Sequence, residues 1–195
     1  MTFSFPEGLA PEVYPLAWLV GKWRGPGFLG YPDIPKRPIV TEVEFDHDGG
    51  PYLRYQTTTW LLDGELDSIE QKVELEDLRG GVLWSSESGY WRVTPAPPDD
   101  ASTLTEEPAT GPVAADVEVL LADPSGHVSV YLGRAQGPRI ELATDLVART
   151  SFAAEVSAAS RIYGLVQSEL FWAWDLAAFG HELQSYASGR LQRLP

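Results

Sequence analysis

Apolar and polar side chains alternate along much of the chain, and this alternation predicts β-strands. Thr41-Glu42-Val43-Glu44-Phe45 repeats with a period of two, which is typical of a strand with one buried face. Tyr52–Leu62 is rich in threonine and aromatic residues, which favour strands. Residues 46–51 between them contain Asp, Gly and Pro, which favour a turn. The two segments therefore predict a β-hairpin.

Short strands separated by turns continue towards the end of the chain. The further predicted strands are Ile69–Leu75, Leu83–Val93, Val117–Leu121, Val128–Leu132, Arg139–Thr144, Ser157–Val166 and Ser168–Asp175. Leu16–Val20 is predicted as a short apolar strand, with one helical turn before it at Pro11–Leu16. Residues 148–159 fit a helix and a strand equally well. This regular spacing predicts an all-β sandwich or barrel.

Polar residues on both faces of several predicted strands favour the barrel over the sandwich. Residues 52–60 contain Arg, Gln and Thr between aromatic residues. In a barrel one face meets solvent, and the other can face a cavity where a ligand or water pairs with polar groups. The whole chain, residues 1–195, is predicted to be one domain, with a mobile Pro-rich surface loop near residues 95–114.

Composition excludes several classes of function. The formal net charge is −14, which disfavours binding to nucleic acids and to anionic membranes. The sequence has no cysteine, so a thiolate metal site, a disulfide and a cysteine nucleophile are excluded. The N-terminus lacks the pattern of a secretory signal, and no apolar stretch is long enough to span a bilayer. These features predict a cytoplasmic protein.

The most specific sequence pattern lies near the N-terminus. Gly21, Trp23, Gly25 and Gly27 form the pattern Gly-x-Trp-x-Gly-x-Gly, and Tyr31-Pro32-Asp33-Ile34 follows it. The glycines permit a bend or a close approach of another backbone, and the Trp23 ring can plug one end of a barrel. A Gly-x-Trp pair alone is shared by several calycin-type barrels.

Three later segments extend this pattern into a family resemblance. They are Ser86–Val93, Ala122–Gly126 and Ala178–Tyr186. Together with the glycine-rich segment, they resemble the nitrobindin family over most of the chain. The resemblance implies a ten-stranded antiparallel up-and-down barrel of the calycin and fatty-acid-binding-protein type. It also implies haem b as a cofactor, held by an axial histidine near the C-terminus.

The axial position is where this sequence departs from the family. The family's histidine follows a Leu-Gln-x stretch, whereas here Leu183-Gln184-Ser185 is followed by Tyr186. A tyrosinate can ligate ferric haem, but the phenol must first lose its proton. His181 is the other candidate ligand, although its odd offset places it on the opposite face from Tyr186 if both lie on one strand. Asp33 replaces a threonine of the family and would repel haem propionates lying nearby.

A second candidate site is the pair Arg161 and Tyr163. Alternation places both side chains on one strand face, where a guanidinium and a hydroxyl could bind a ligand carboxylate. The first hypothesis is therefore a protein that binds a small hydrophobic ligand, with or without an anionic group. The residues predicted to contact this ligand are Tyr186, Arg161, Tyr163, Tyr31 and Asp33. The alternative is a ferric haem protein with Tyr186 as axial ligand, acting in NO chemistry or as a peroxynitrite isomerase. No side chains are arranged for hydrolysis or group transfer, so binding is favoured over catalysis.

Overall fold

The computed structural model describes residues 6–71, 73–95 and 114–195. In these ranges ten antiparallel strands form one closed barrel. The strands are β1 Gly21–Tyr31, β2 Ile34–Asp46, β3 Leu53–Leu62, β4 Gly80–Val93, β5 Ala114–Ala122, β6 His127–Gln136, β7 Arg139–Arg149, β8 Val156–Val166, β9 Glu169–Ala178 and β10 Gln184–Arg193. Each strand pairs with its neighbours in sequence, and β1 pairs with β10 to close the barrel. The predicted ten-stranded up-and-down barrel is confirmed.

Two local predictions differ from the structure, and the alternative left open at residues 148–159 is resolved. Residues 16–19 belong to a 3₁₀ helix, Pro11–Leu19, rather than to a strand. In place of the strand predicted at Ile69–Leu75, residues 69–71 form a turn and a second short 3₁₀ helix begins at residue 75, Leu75–Asp77. Residues 148–159 fitted a helix and a strand equally well; residues 148–149 and 156–159 lie in β7 and β8, and residues 150–155 connect the two strands. The Pro-rich loop predicted near 95–114 falls on residues 96–113, outside the described residues.

The glycines of the N-terminal pattern allow β1 to lie close to β10. A Cβ atom at Gly25 would stand 2.1 Å from the carbonyl oxygen of Arg190, and one at Gly27 would stand 2.3 Å from that of Ser188. Neither position can accept a side chain without moving the neighbouring backbone. Gly21, at the start of β1, has a φ of 128°, which L side chains rarely adopt. The glycine pattern therefore contributes to the closure of the barrel.

One end of the barrel, here called the packed end, is filled with side chains. It is the end where β1 begins, and the first 3₁₀ helix packs there with Leu16 and Leu19 fully buried. Trp23 donates a hydrogen bond from Nε1 to the carbonyl of Leu19 at 2.7 Å. Phe45 and Trp91 lie edge to face, with ring centroids 5.3 Å apart. The opposite end, where β1 ends, is here called the cavity end. No helix among the described residues is long and apolar enough to span a membrane.

Candidate functional site: a cavity in the barrel

The cavity end encloses a space of about 450 Å³. This volume lies within the range of small-molecule binding sites. Aromatic and aliphatic side chains form most of the wall, and a smaller number of hydroxyl, imidazole and carboxylate groups interrupt it. Five aromatic residues line it: Trp84, Tyr131, Trp174, Phe179 and Tyr186. None of the described lining residues is a lysine or an arginine.

Tyr186 lies on the cavity wall, in β10, with its hydroxyl engaged. Trp84 Nε1 donates a hydrogen bond to the Tyr186 hydroxyl oxygen at 2.7 Å. The ring of Trp174 packs edge to face against Tyr186, with centroids 4.9 Å apart. Burial raises the pKa of Tyr186, and the Trp84 hydrogen bond offsets only part of that rise. The phenol is therefore held in its neutral form.

A buried ion pair forms the floor of the cavity. Arg161 Nη1 and Nη2 donate to the two carboxylate oxygens of Glu87 at 2.8 and 2.5 Å. The guanidinium also lies over the Trp174 ring at 4.2 Å and over the Tyr131 ring at 5.1 Å. Burial is the largest single influence and lowers the pKa of Arg161, but the charge and hydrogen bonds of Glu87 together with the nearby Tyr131 and Tyr163 outweigh it, so the pKa stands well above its ordinary value. Arg161 is therefore charged and tightly held.

This geometry differs from the predicted carboxylate site at Arg161 and Tyr163. Both side chains lie inside the barrel, and both are buried. However, the carboxylate bound by Arg161 belongs to Glu87 of the same chain. Tyr163 lies on the packed side of the ion pair, with its ring 5.1 Å from that of Trp91, and it does not line the cavity. The two residues therefore do not face the main cavity together; with Glu87 they line a smaller interior space of about 40 Å³.

Tyr31, Asp33 and His181 lie where β1, β2 and β10 meet at the rim of the barrel. The buried Tyr31 hydroxyl donates to the carbonyl of Leu176 at 2.8 Å and accepts from the amide of Ala178 at 3.0 Å. Asp33 is exposed, and its carboxylate lies 3.2 Å from Nε2 of His181. His181 precedes β10, so the face argument made for one strand does not apply to it. Tyr31 has a structural role, while Asp33 and His181 lie outside the cavity lining.

A turn between β5 and β6 places His127 at the cavity. His127 Nδ1 lies 3.0 Å from the hydroxyl of Ser125 and 3.3 Å from the carboxylate of Asp123. Its Nε2 lies 2.9 Å from the carbonyl of Ala154. Both ring nitrogens are engaged, and the segment is the tight turn that its sequence predicts. It is not arranged for nucleophilic catalysis, because Nε2 faces a backbone carbonyl rather than a substrate.

Sequence reasoning did not single out Glu87, Trp84 or Trp174. The signal for Glu87 was present, since strand alternation from the buried Trp91 places residues 89, 87 and 85 on the inner face of β4. The same rule places Trp174 beside Leu170 and Leu176 on the inner face of β9. Trp84 lies on a stretch of β4 where the register with β3 shifts, so alternation could not place its side chain.

The fold and the cavity define a closed antiparallel barrel that is packed at one end and hollow at the other. Residues 12–193 match the family model described as THAP4-like, heme-binding beta-barrel domain. The chain therefore belongs to that family, as the nitrobindin-like sequence patterns predicted.

Relatives agree with this assignment. A "Ferric nitrobindin-like protein" of Beutenbergia cavernae is 60% identical, and the match covers 100% of both chains. A "Peroxynitrite isomerase" of Leifsonia xyli subsp. xyli is 38% identical over 97% of this chain and 98% of that protein. The crystal structure of Rv2717c from M. tuberculosis superposes with a TM-score of 0.71 and 29% identity, covering 96% of this chain and 99% of that one.

The family implies haem, so the donor groups at the cavity decide whether haem iron fits here. The one imidazole in the described lining is His127, and both of its nitrogens are engaged. His181 pairs with Asp33 outside the lining. At Tyr186 the phenol stays protonated, since burial raises its pKa and Trp84 occupies its oxygen. These side chains do not fit axial coordination of haem iron by an imidazole or a phenolate.

Proposed function

We propose that this protein binds a small, mostly apolar ligand in the cavity without coordinating haem iron. The observation that carries the proposal is the cavity of about 450 Å³ with the neutral Tyr186 phenol in its wall, hydrogen-bonded to Trp84. Burying the ligand's apolar surface against the aromatic wall supplies the binding free energy, at about 25 cal/mol per Å² of apolar area. The protein's own side chains then serve to hold and shield the ligand rather than to transform it.

The second candidate function is that of a ferric haem protein with Tyr186 as axial ligand. Two observations favour it: the chain belongs to a family described as heme-binding, and Tyr186 lies on the cavity wall. Under this candidate the protein would share the chemistry named for the relatives called peroxynitrite isomerases.

A hemin titration followed by absorbance separates the two candidates. We expect the wild-type protein to give no saturable Soret shift, because none of the imidazole and phenol groups in the described part of the cavity lining is free to coordinate iron. Tyr186→His should gain such a shift, because it restores an imidazole at this position. His181→Ala serves as the control and should behave as wild type. A saturable wild-type shift that is lost in Tyr186→Phe would overturn the proposal in favour of the second candidate.

Binding of an apolar ligand is tested separately with 1-aminoanthracene, a neutral aromatic probe. Its fluorescence should rise on addition of the wild-type protein and should saturate at one probe per chain. A linear response without saturation contradicts a defined interior site.

A further inference from the structure

We infer that the cavity selects an uncharged aromatic ligand that donates an N–H or O–H hydrogen bond to Glu87, and that it rejects carboxylates. This inference rests on the proposed function, because it names the ligand class of the same cavity. It follows from the position of three groups: the Glu87 carboxylate, the Arg161 guanidinium and the aromatic wall.

Glu87 is the hydrogen-bond acceptor in the cavity floor. Its side chain is only 10% exposed, yet it contributes to the cavity lining. A carboxylate offers about four acceptor positions, and the two hydrogen bonds from Arg161 use two of them. Because Arg161 donates a hydrogen bond to each oxygen, the carboxylate has a fixed orientation. A ligand donor can therefore bind to the remaining lone pairs without reordering the side chain.

Arg161 is inaccessible to a ligand anion. Its side chain is 4% exposed, and the rings of Trp174 and Tyr131 cover the guanidinium. Arg161 Nε additionally faces the Tyr131 hydroxyl at 3.3 Å. It does not line this cavity; with Glu87 and Tyr163 it lines a neighbouring interior space of about 40 Å³, which has room for little more than a water molecule. The charged groups that line the cavity are the carboxylates of Glu87 and Asp123. An anionic ligand would thus meet like charge in a partly desolvated space, which is unfavourable.

The wall favours a flat ring over an alkyl chain. Trp174 and Tyr186 stand nearly perpendicular to each other, with an interplanar angle of 84°, and Trp84 is hydrogen-bonded to Tyr186. Such a wall offers both ring faces and ring edges to a bound aromatic ligand, and these contacts stabilise a bound ring beyond the burial of its area. The ligand class is therefore aromatic, uncharged and equipped with a donor group.

The test compares two probes of the same ring system, 1-aminoanthracene and anthracene-1-carboxylate, by fluorescence titration at pH 7. We expect wild type to bind the amine at least tenfold more tightly than the carboxylate. Glu87→Gln should reduce that ratio by at least tenfold, because it removes the negative charge that attracts the N–H donor of the amine and repels the ligand carboxylate. Glu141→Gln, which changes an exposed carboxylate on the outer face of β7, should leave the ratio unchanged.

Removing Glu87 alone leaves Arg161 buried and unpaired, which can prevent folding. The double variant Glu87→Gln, Arg161→Met removes both charges and avoids this problem. In it, the ratio of the affinities for 1-aminoanthracene and anthracene-1-carboxylate should fall close to one. A ratio equal to that of wild type in the double variant would overturn the inference. Equal binding of both probes by wild type would also overturn it while leaving the proposed function standing. Binding of neither probe would contradict the proposed function itself.

Discussion

The two ends of the barrel use similar residues for different purposes. At the packed end, Trp91 packs with no exposed surface against Phe45, Tyr55 and Tyr163. At the cavity end, Trp84 and Trp174 stand around open space instead. The Arg161–Glu87 pair lies between the two regions. A strand rich in aromatic residues therefore does not by itself show whether its rings fill the core or line a binding site.

Truncating one tryptophan at each end should give the largest difference in stability between the two ends. Trp91→Ala should lower the free energy of unfolding by about 3–5 kcal/mol, because it opens a cavity in close-packed core. Trp84→Ala should lower the free energy of unfolding by only about 1–2 kcal/mol. The half-buried Trp84 ring already borders empty space, so its removal deletes mainly one hydrogen bond and some contact area. Urea unfolding followed by circular dichroism measures both values. Equal losses at the two positions would mean that the cavity end is as tightly packed as the other.

Enlarging one alanine at each end tests the same difference by adding atoms instead of removing them, and its effect on stability should be smaller. Ala135 is 1% exposed at the packed end, and Ala159 is 3% exposed on the cavity wall. Ala135→Leu should cost about 1–3 kcal/mol through overpacking. Ala159→Leu should change the free energy of unfolding by less than about 1 kcal/mol, since the added atoms enter empty space.

The same pair of variants reports on ligand binding. Ala159→Leu should weaken binding of 1-aminoanthracene at least tenfold, whereas Ala135→Leu should leave its affinity unchanged in the folded protein. A probe that binds Ala159→Leu as well as it binds wild type occupies some site other than the cavity.

The barrel itself was predictable because strand pairing leaves a local signal. The alternation at Thr41–Phe45 predicted its strand, and β2 extends it to Ile34–Asp46. The 3₁₀ helix at Pro11–Leu19 was missed in part because it contains two prolines and is buried on several sides, so it shows no simple period. Residues 69–75 alternate weakly, but those of them that the structure describes pair with no strand, and alternation alone does not supply a partner.

The cavity was less predictable than the fold, because pairing across the barrel is not local. Sequence alternation placed Arg161 on the face of Tyr163, but it could not show that Glu87, seventy-four positions away, supplies the carboxylate. Tyr186 was found only through the family resemblance. Its hydrogen bond with Trp84 joins β4 to β10 across the interior, and neither segment has a local sequence pattern that predicts this contact.

The smallest expected effect concerns the ionisation of Tyr186. Because burial raises its pKa above the unfolded value of about 10, the associated stability is fully present below about pH 10 and is lost as pH rises through the folded pKa. Near pH 8, wild type and Tyr186→Phe should therefore show the same tyrosinate absorbance, because the Tyr186 phenol keeps its proton there. Excess absorbance of one tyrosinate in wild type near pH 8 would instead indicate a phenol ready to bind a metal.

A crystal structure of the protein soaked with 1-aminoanthracene tests the central claim most directly. We expect one ring system inside the cavity end, between Trp174 and Tyr186, with its amine nitrogen within hydrogen-bond distance of Glu87 and the Arg161–Glu87 pair intact. Inner side chains that have closed the cavity, or a probe bound only on the outer surface of the barrel, would contradict it.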